Sequence, residues 1–215
     1  MEIIYEDNHL LVVNKEVGEI VQGDKTGDKP VVEMLKEYLK DKYNKPGNVF
    51  CGVVHRIDRP VSGLVIFAKT SKALTRLNEM LRNGEIHKTY HAIVEGKPSS
   101  PAGTLTNYLV SDGRINKSFL AEEKNPEAKK AILDYKTLKE YDRYTLLEID
   151  LKTGRKHQIR AQLSALGNPI KGDLKYGAKR SNRDGGISLR AARISFTHPV
   201  KKEPMCFDCP SPLSL

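Results

Sequence analysis

Tryptophan is absent from this 215-residue chain and cysteine is scarce, with only Cys51, Cys206 and Cys209. An odd, small set of thiols excludes the disulfide framework of a small secreted domain. Cys206 and Cys209 form a C-x-x-C pair with His198 upstream, but a tetrahedral zinc site of this type needs a second pair of ligands. The pair therefore reads as packing near the chain end, and no metal is expected. Long apolar runs are missing too: none approaches the ~20 residues of a membrane span. The opening MEIIYEDNHL is acidic instead of a charged-then-apolar leader, so the expected compartment is the cytoplasm, with no membrane partner. The phosphate loop G-x-x-x-x-G-K-[ST], the dinucleotide turn G-x-G-x-x-G and the zincin H-E-x-x-H do not occur, which leaves nucleotide-dependent and zincin chemistry without support.

Acid is scarce in one stretch only. Residues 151–202 carry 13 basic side chains against Asp173 and Asp184, a local +11, whereas the whole chain has 36 basic and 27 acidic residues, +9. One quarter of the chain thus holds the whole surplus and the rest is slightly negative. A surplus so concentrated, interleaved with glycine and Tyr176, favours a polyanionic partner, because phosphate contacts dominate nucleic-acid affinity.

Hydrophobic spacing gives the elements. Residues 3–5 and 10–14 around Asp7 and Asn8 predict a hairpin. Val31, Leu35, Tyr38 and Leu39 follow one helical face over 30–43, with Pro30 suited to the first turn. Thr70 or Ser71 caps a second helix with an inner face of Leu74, Leu77 and Leu81, ended by Gly84. Strands are expected at 64–68, 87–95, 103–110, 131–138, 145–151 and 189–197, with a long loop or ribbon at 111–126. Strands outnumber helices and gather in the second half, so the expected class is α+β around a large, mainly antiparallel sheet. One domain spanning 1–215 is the simplest partition.

Two stretches carry unusual chemistry. In HRIDRPVSGLVIFAKT, residues 55–70, Asp58 stands between Arg56 and Arg59 beside His55, just ahead of an unbroken apolar run. Two neighbouring guanidinium groups favour the ionised carboxylate, so Asp58 suits a nucleophile or base better than a proton donor; a salt-bridged turn acid is the plain alternative. In TGRKHQIRAQLSALGNPIKGD, residues 153–173, Ile159, Leu163 and Leu166 recur as a helical face, with Thr153 as cap and Gly167 as terminator. Arg155 and Lys156 then fall in the first turn, where cations oppose the helix dipole and forgo ~0.3–1 kcal/mol each. An anion held at that helix start is one explanation of the arrangement, two exposed cations of little cost and no function being the other, and His157 and Arg160, three apart, share a face other than the apolar one. His55 and His157 also offer an acid and a base for phosphodiester cleavage.

At these residues the chain resembles the RluA-type family of RNA pseudouridine synthases. IIYEDNHLLVVNK, HRIDRPVSGLVIFAK, KTYHAIVEG and TGRKHQIRAQLSALGNPIKGDLKYG match in order, and SLRAARISFTHP more weakly, so that the resemblance covers nearly the whole chain. It implies a mixed sheet with flanking helices and a central cleft, and a cofactor-free isomerase that turns uridine in rRNA or tRNA into its carbon-linked isomer. It implies Asp58 as the catalytic aspartate, Tyr90 as the tyrosine packed on the target base, and Arg160 as the arginine paired with the aspartate. Arg56 falls where a side chain can enter the base stack as the uridine leaves. With these, His55, Arg59, Arg155, Lys156 and His157 make up the expected RNA-contacting set. Val61, Glu16, Val17, Gln162 and Arg190 depart from the family's usual residues. The chain starts directly with the catalytic region, so no separate N-terminal RNA-binding module is expected, and neither is an obligate protein partner; a monomer is the default. A catalytically inactive RNA-binding protein and a ribonuclease are the competing readings.

Overall fold

The computed structural model describes residues 1–24, 26–210, 212–213 and 215. In chain order its elements are β1 (Glu2–Glu6), β2 (Leu10–Lys15), α1 (Val31–Lys42), β3 (Gly52–Val53), β4 (Ser62–Ala68), α2 (Ser71–Arg82), β5 (His87–Glu95), β6 (Ala102–Asp112), β7 (Lys117–Ala121), β8 (Lys129–Glu140), β9 (Tyr144–Leu151), α3 (Gln158–Ala165), β10 (Leu189–Thr197) and β11 (Pro204–Asp208). The expected class holds: three helices accompany a mixed, mostly antiparallel sheet. The chain divides into two compact units, Met1–Ile86 with Ala191–Pro210, and His87–Arg190 with Ser211–Leu215. Among the described residues no helix is long and apolar enough to cross a membrane.

In the first unit the strands run β1-β2-β4-β10, with β3 on β4 and β11 on β10. The expected hairpin forms, and the Asp7 carboxylate closes its turn by accepting the His9 and Leu10 N–H groups at 2.7 and 3.0 Å. Every residue of β2 and β4 is buried, as continuous apolar runs in inner strands require. On one face Leu10, Val12, Leu64, Ile66 and Ala68 pack with Ala73, Leu77 and Met80 of α2. Burying each such large side chain is worth roughly 1.5–3 kcal/mol. The stripe of α2 is therefore centred one residue earlier than expected: Leu74 and Leu81 lie at its margins, only partly buried. Thr70 caps that helix as expected, its Oγ1 accepting the Ala73 N–H at 3.1 Å. Pro30 is the N-cap of α1 rather than a first-turn residue. Gly63, at φ +115°, is required, since a Cβ there would stand 2.3 Å from the Ala191 carbonyl oxygen. β11 was not expected; it pairs with β10 and carries Cys206 opposite Ser195, while Cys209 donates to Asn14 Oδ1 at 3.4 Å and packs on the core.

In the second unit β5-β9-β8-β6-β7 form consecutive antiparallel ladders. The polar stretch 111–126 is a ribbon: it contains β7, which folds back on β6 from Tyr108↔Ala121 to Asp112↔Lys117. Directly opposed residues share a face of an antiparallel sheet. Tyr90, Ile149 and Tyr135 therefore lie on one face, and Glu148, Asp150, Asp134 and Lys136 on the other. α3 covers the first face, with Ala161 packed among Leu109, Ala131 and Tyr176.

Candidate active site

In the first unit Asp58 sits in the segment between β3 and β4, and burial alternates along it. Val54, His55 and Ile57 are buried, Arg56 is exposed and Asp58 half-buried, so Arg56 and Asp58 project away from the packed side. The His55 ring is pinned under the segment, its Nε2 accepting the Ile66 N–H at 3.2 Å. A tight turn follows, in which the Asp58 carbonyl accepts the Val61 N–H at 3.0 Å. The Arg59 guanidinium, exposed, pairs with Asp28 at 2.7 Å.

Beneath this turn lies Lys15, wholly buried, whose ammonium donates to the carbonyls of Glu16 and Glu19, both at 2.8 Å, and of Arg59 at 3.4 Å. The same Arg59 carbonyl accepts the Gly18 N–H at 3.0 Å. Loss of hydration pulls the Lys15 pKa down to about 8, against the attraction of Glu19, Asp58 and Glu16. A lysine ending the apolar run LLVVN is thus the bolt of the Asp58 turn, a role its sequence context did not reveal.

In the second unit Tyr90 is buried on β5, on the face covered by α3. The approach to α3 differs from the expectation. Thr153 does not cap it: its Oγ1 donates to Gln158 Oε1 and accepts the Ile132 N–H, both at 2.8 Å. The helix starts at Gln158, after His157 in left-handed conformation at φ 53°. Arg155 and Lys156 therefore precede the helix instead of lying in its first turn; both are exposed, and Arg155 Nε donates to the Lys130 carbonyl at 2.9 Å.

His157 and Arg160 do come together, but inside, on Tyr176. The Tyr176 hydroxyl lies 2.8 Å from His157 Nδ1 and accepts the Ser118 N–H at 2.8 Å, and the Arg160 guanidinium lies 4.9 Å over the ring. This cage keeps His157 in a backbone region that costs a non-glycine residue ~1 kcal/mol or more. Asp173 accepts from Arg160 in a fork, Nε to Oδ2 at 2.7 Å and Nη2 to Oδ1 at 2.8 Å, with both side chains buried. Gln162, one of the departures from the family's usual residues, bolts α3 to the sheet by donating to Asn107 Oδ1 at 2.8 Å and to the Leu105 carbonyl at 3.1 Å.

The two units thus supply different groups. The first presents a half-buried carboxylate on a braced turn, with exposed Arg56 beside it. The second presents a buried tyrosine and a guanidinium fixed in orientation, behind an exposed pair of cations. Asp173, Tyr176 and Lys15 escaped the sequence reading, although GDLKYG lay inside the longest matching segment. Among the described residues no group of three or more His, Cys, Asp or Glu side chains is placed to hold a metal.

Comparison with known proteins places this geometry. The RNA pseudouridylate synthase family matches residues 9–165, a span that includes Asp58, Tyr90 and Arg160. The chain belongs to that family, which is one of isomerases. It is 34% identical over 99% of its length to the uncharacterised RNA pseudouridine synthase YlyB of Bacillus subtilis, covering 69% of that protein. To the ribosomal large subunit pseudouridine synthase D of Zymomonas mobilis it is 32% identical, with 99% and 69% covered. To the tRNA pseudouridine synthase C of Vibrio cholerae it is 34% identical, with 95% and 88% covered. The fold is shared with human RNA pseudouridylate synthase domain containing 4, at a TM-score of 0.81 and 23% identity over 98% of this chain and 88% of the other.

Proposed function

We propose that the protein isomerises specific uridines to pseudouridine in structured RNA, rRNA or tRNA or both, with Asp58 as its catalytic carboxylate, Tyr90 packed on the target uridine and Arg160 as the third catalytic residue. The observation that carries this reading is that all three residues stand within the span matched by the family. The relatives named for ribosomal large subunit and for tRNA modification support the two RNA classes. A matched span that runs through both units supports their working as one catalytic domain.

The chemistry balances within one nucleotide: the bond from C1′ to N1 breaks, a bond from C1′ to C5 forms, and the proton lost from C5 is matched by one gained at N1. No oxidant, reductant or cofactor is consumed. The Asp58 carboxylate attacks the ring or the sugar, uracil detaches and turns, and Tyr90 stacks on it and helps take the C5 proton. The target base must first leave its stack, at a cost of a few kcal/mol, which phosphate contacts from exposed Arg56, Arg59, Arg155 and Lys156 offset. Buried His55 and His157 serve the same contacts from below, by holding the segments that carry the arginines and the lysine. The reading places the enzyme in the cytoplasm with its RNA, as a monomer.

The test is to incubate the purified protein with uridine-labelled rRNA and tRNA transcripts, then digest to nucleosides. Wild type yields pseudouridine and Asp58→Ala yields none. Product from the variant at an undiminished rate would refute the assignment, and strand breaks instead of pseudouridine would favour a nuclease.

A further inference from the structure

Lys88 differs from its neighbours in how its charge is met. On the face of the second unit's sheet that carries Glu148 and Asp134 two cations have acids: Lys136 pairs with Glu148 at 2.7 Å and Lys152 with Asp134 at 3.3 Å. Lys88 stands two residues before Tyr90 on β5 and so on the opposite face, the one that carries Tyr90 and lies under α3. Asp134, Glu148 and Asp150 all belong to the other face, so none of them is on its side of the sheet. Among the described residues no side chain or carbonyl takes a hydrogen bond or ion pair from its ammonium. The group is half-buried, and burial lowers its pKa with nothing to offset the loss of hydration.

What does lie near Lys88 is the segment that leads into α3. Its Nζ is 3.7 Å from where a Cβ on Gly154 would stand. Gly154 has no side chain to occupy that space, and the next two residues are the exposed cations Arg155 and Lys156. A partly desolvated ammonium with no anion beside it among the described residues is unfavourable in the free protein, and an anion arriving from outside removes the penalty.

We propose that Lys88 is a substrate-binding residue whose ammonium takes a non-bridging phosphate oxygen of the RNA backbone next to the uridine that Tyr90 receives. This rests on the reading of the protein as an RNA-modifying isomerase, and it names a contact which that reading does not contain. The face of the sheet that receives the base thereby also fixes the adjoining phosphodiester.

Lys88→Met and Lys88→Arg test it, with three readouts: thermal unfolding, binding of an unmodified tRNA transcript over a salt series, and steady-state pseudouridine formation on an RNA that wild type modifies. Lys88→Met is expected to raise Tm, because an unpaired charge leaves a half-buried place. It weakens RNA binding about tenfold and lowers the slope of log affinity against log salt by about one ion. KM rises by more than kcat falls, and Lys88→Arg restores most of the affinity. Wild-type affinity and slope in Lys88→Met would overturn the proposal, as would a lowered Tm, which marks a structural cation. Absence of pseudouridine from wild type on every RNA tried sinks the isomerase reading alone, since binding and its salt slope still judge Lys88.

Discussion

The two units differ in how nearly their charges balance. The first holds 16 basic and 15 acidic residues, net +1; the second holds 20 and 12, net +8. In the first, several cations are met within the fold. Glu6 accepts from Lys42 and Lys69, both at 2.7 Å, Asp7 from Lys201 at 3.2 Å, and Asp28 from Arg59 at 2.7 Å. In the second, among the described residues, exposed Arg155 and Lys156 and half-buried Lys88 have no acid paired with them. The contrast teaches that a basic surplus is informative when cations are counted against their partners. On the proposed reading the near-neutral unit presents the carboxylate and the cationic unit gathers the RNA backbone.

Substitutions on either side of this division should separate reaction from binding. The largest effect is expected from Asp58→Asn, which removes one negative charge from the neutral unit. Pseudouridine formation is lost to the background of nucleoside analysis while RNA affinity is kept or slightly raised; a parallel loss of affinity would break the proposed separation. Next in size is Asp173→Ala in the cationic unit, which leaves the Arg160 guanidinium buried without its fork. Stability should fall by about 3–5 kcal/mol, read as a shift of the denaturant midpoint. An unchanged midpoint would show that Asp173 is not what neutralises the arginine.

Acid should destabilise the protein through Glu6. Burial alone would raise its carboxyl pKa, but hydrogen bonds from Lys42, Lys69, Tyr43 and Tyr38 outweigh it and hold the value at about 2. The folded state thus binds fewer protons than the unfolded chain between pH 4.5 and 2, and stability contributed above that range is lost as pH falls through it. The loss is about 2–3 kcal/mol from this group, measured as the difference between wild type and Glu6→Gln in acid titrations. Curves that stay parallel between pH 5 and 2 would remove Glu6 from the account. The smallest effect is expected from Tyr176→Phe, which keeps the ring under Arg160 and deletes the hydroxyl. Stability should drop about 1–2 kcal/mol, with hydrogen exchange at the Ser118 amide accelerated before any other in β7.

Local pattern made much of this legible. The strands at His87–Glu95 and Leu189–Thr197 have the limits read from the sequence, because their spacing and flanks leave little choice. The start of α3 differs from the sequence pattern because Thr153 has the chemistry of a cap, yet finds better partners in Ile132 of β8 and in Gln158. β11 has no buried residue to announce it, its positions alternating between exposed and half-buried. Asp58, Tyr90 and Arg160 were found by matching motifs, whereas Asp173, Tyr176 and Lys88 matter through neighbours that are brought near only by folding. Tyr176 and Ser118 are 58 residues apart, a separation that no local spacing encodes.

That last contact reaches beyond the site. β7 is the outermost strand of its unit, and an outer strand offers its ladder to any stray chain. At Ser118 the phenol of Tyr176 occupies both backbone groups, taking the N–H at 2.8 Å and giving its proton toward the carbonyl at 3.3 Å. An intruding segment would meet that rung already filled, so the residue that underlies the arginine also closes one position of an open sheet edge.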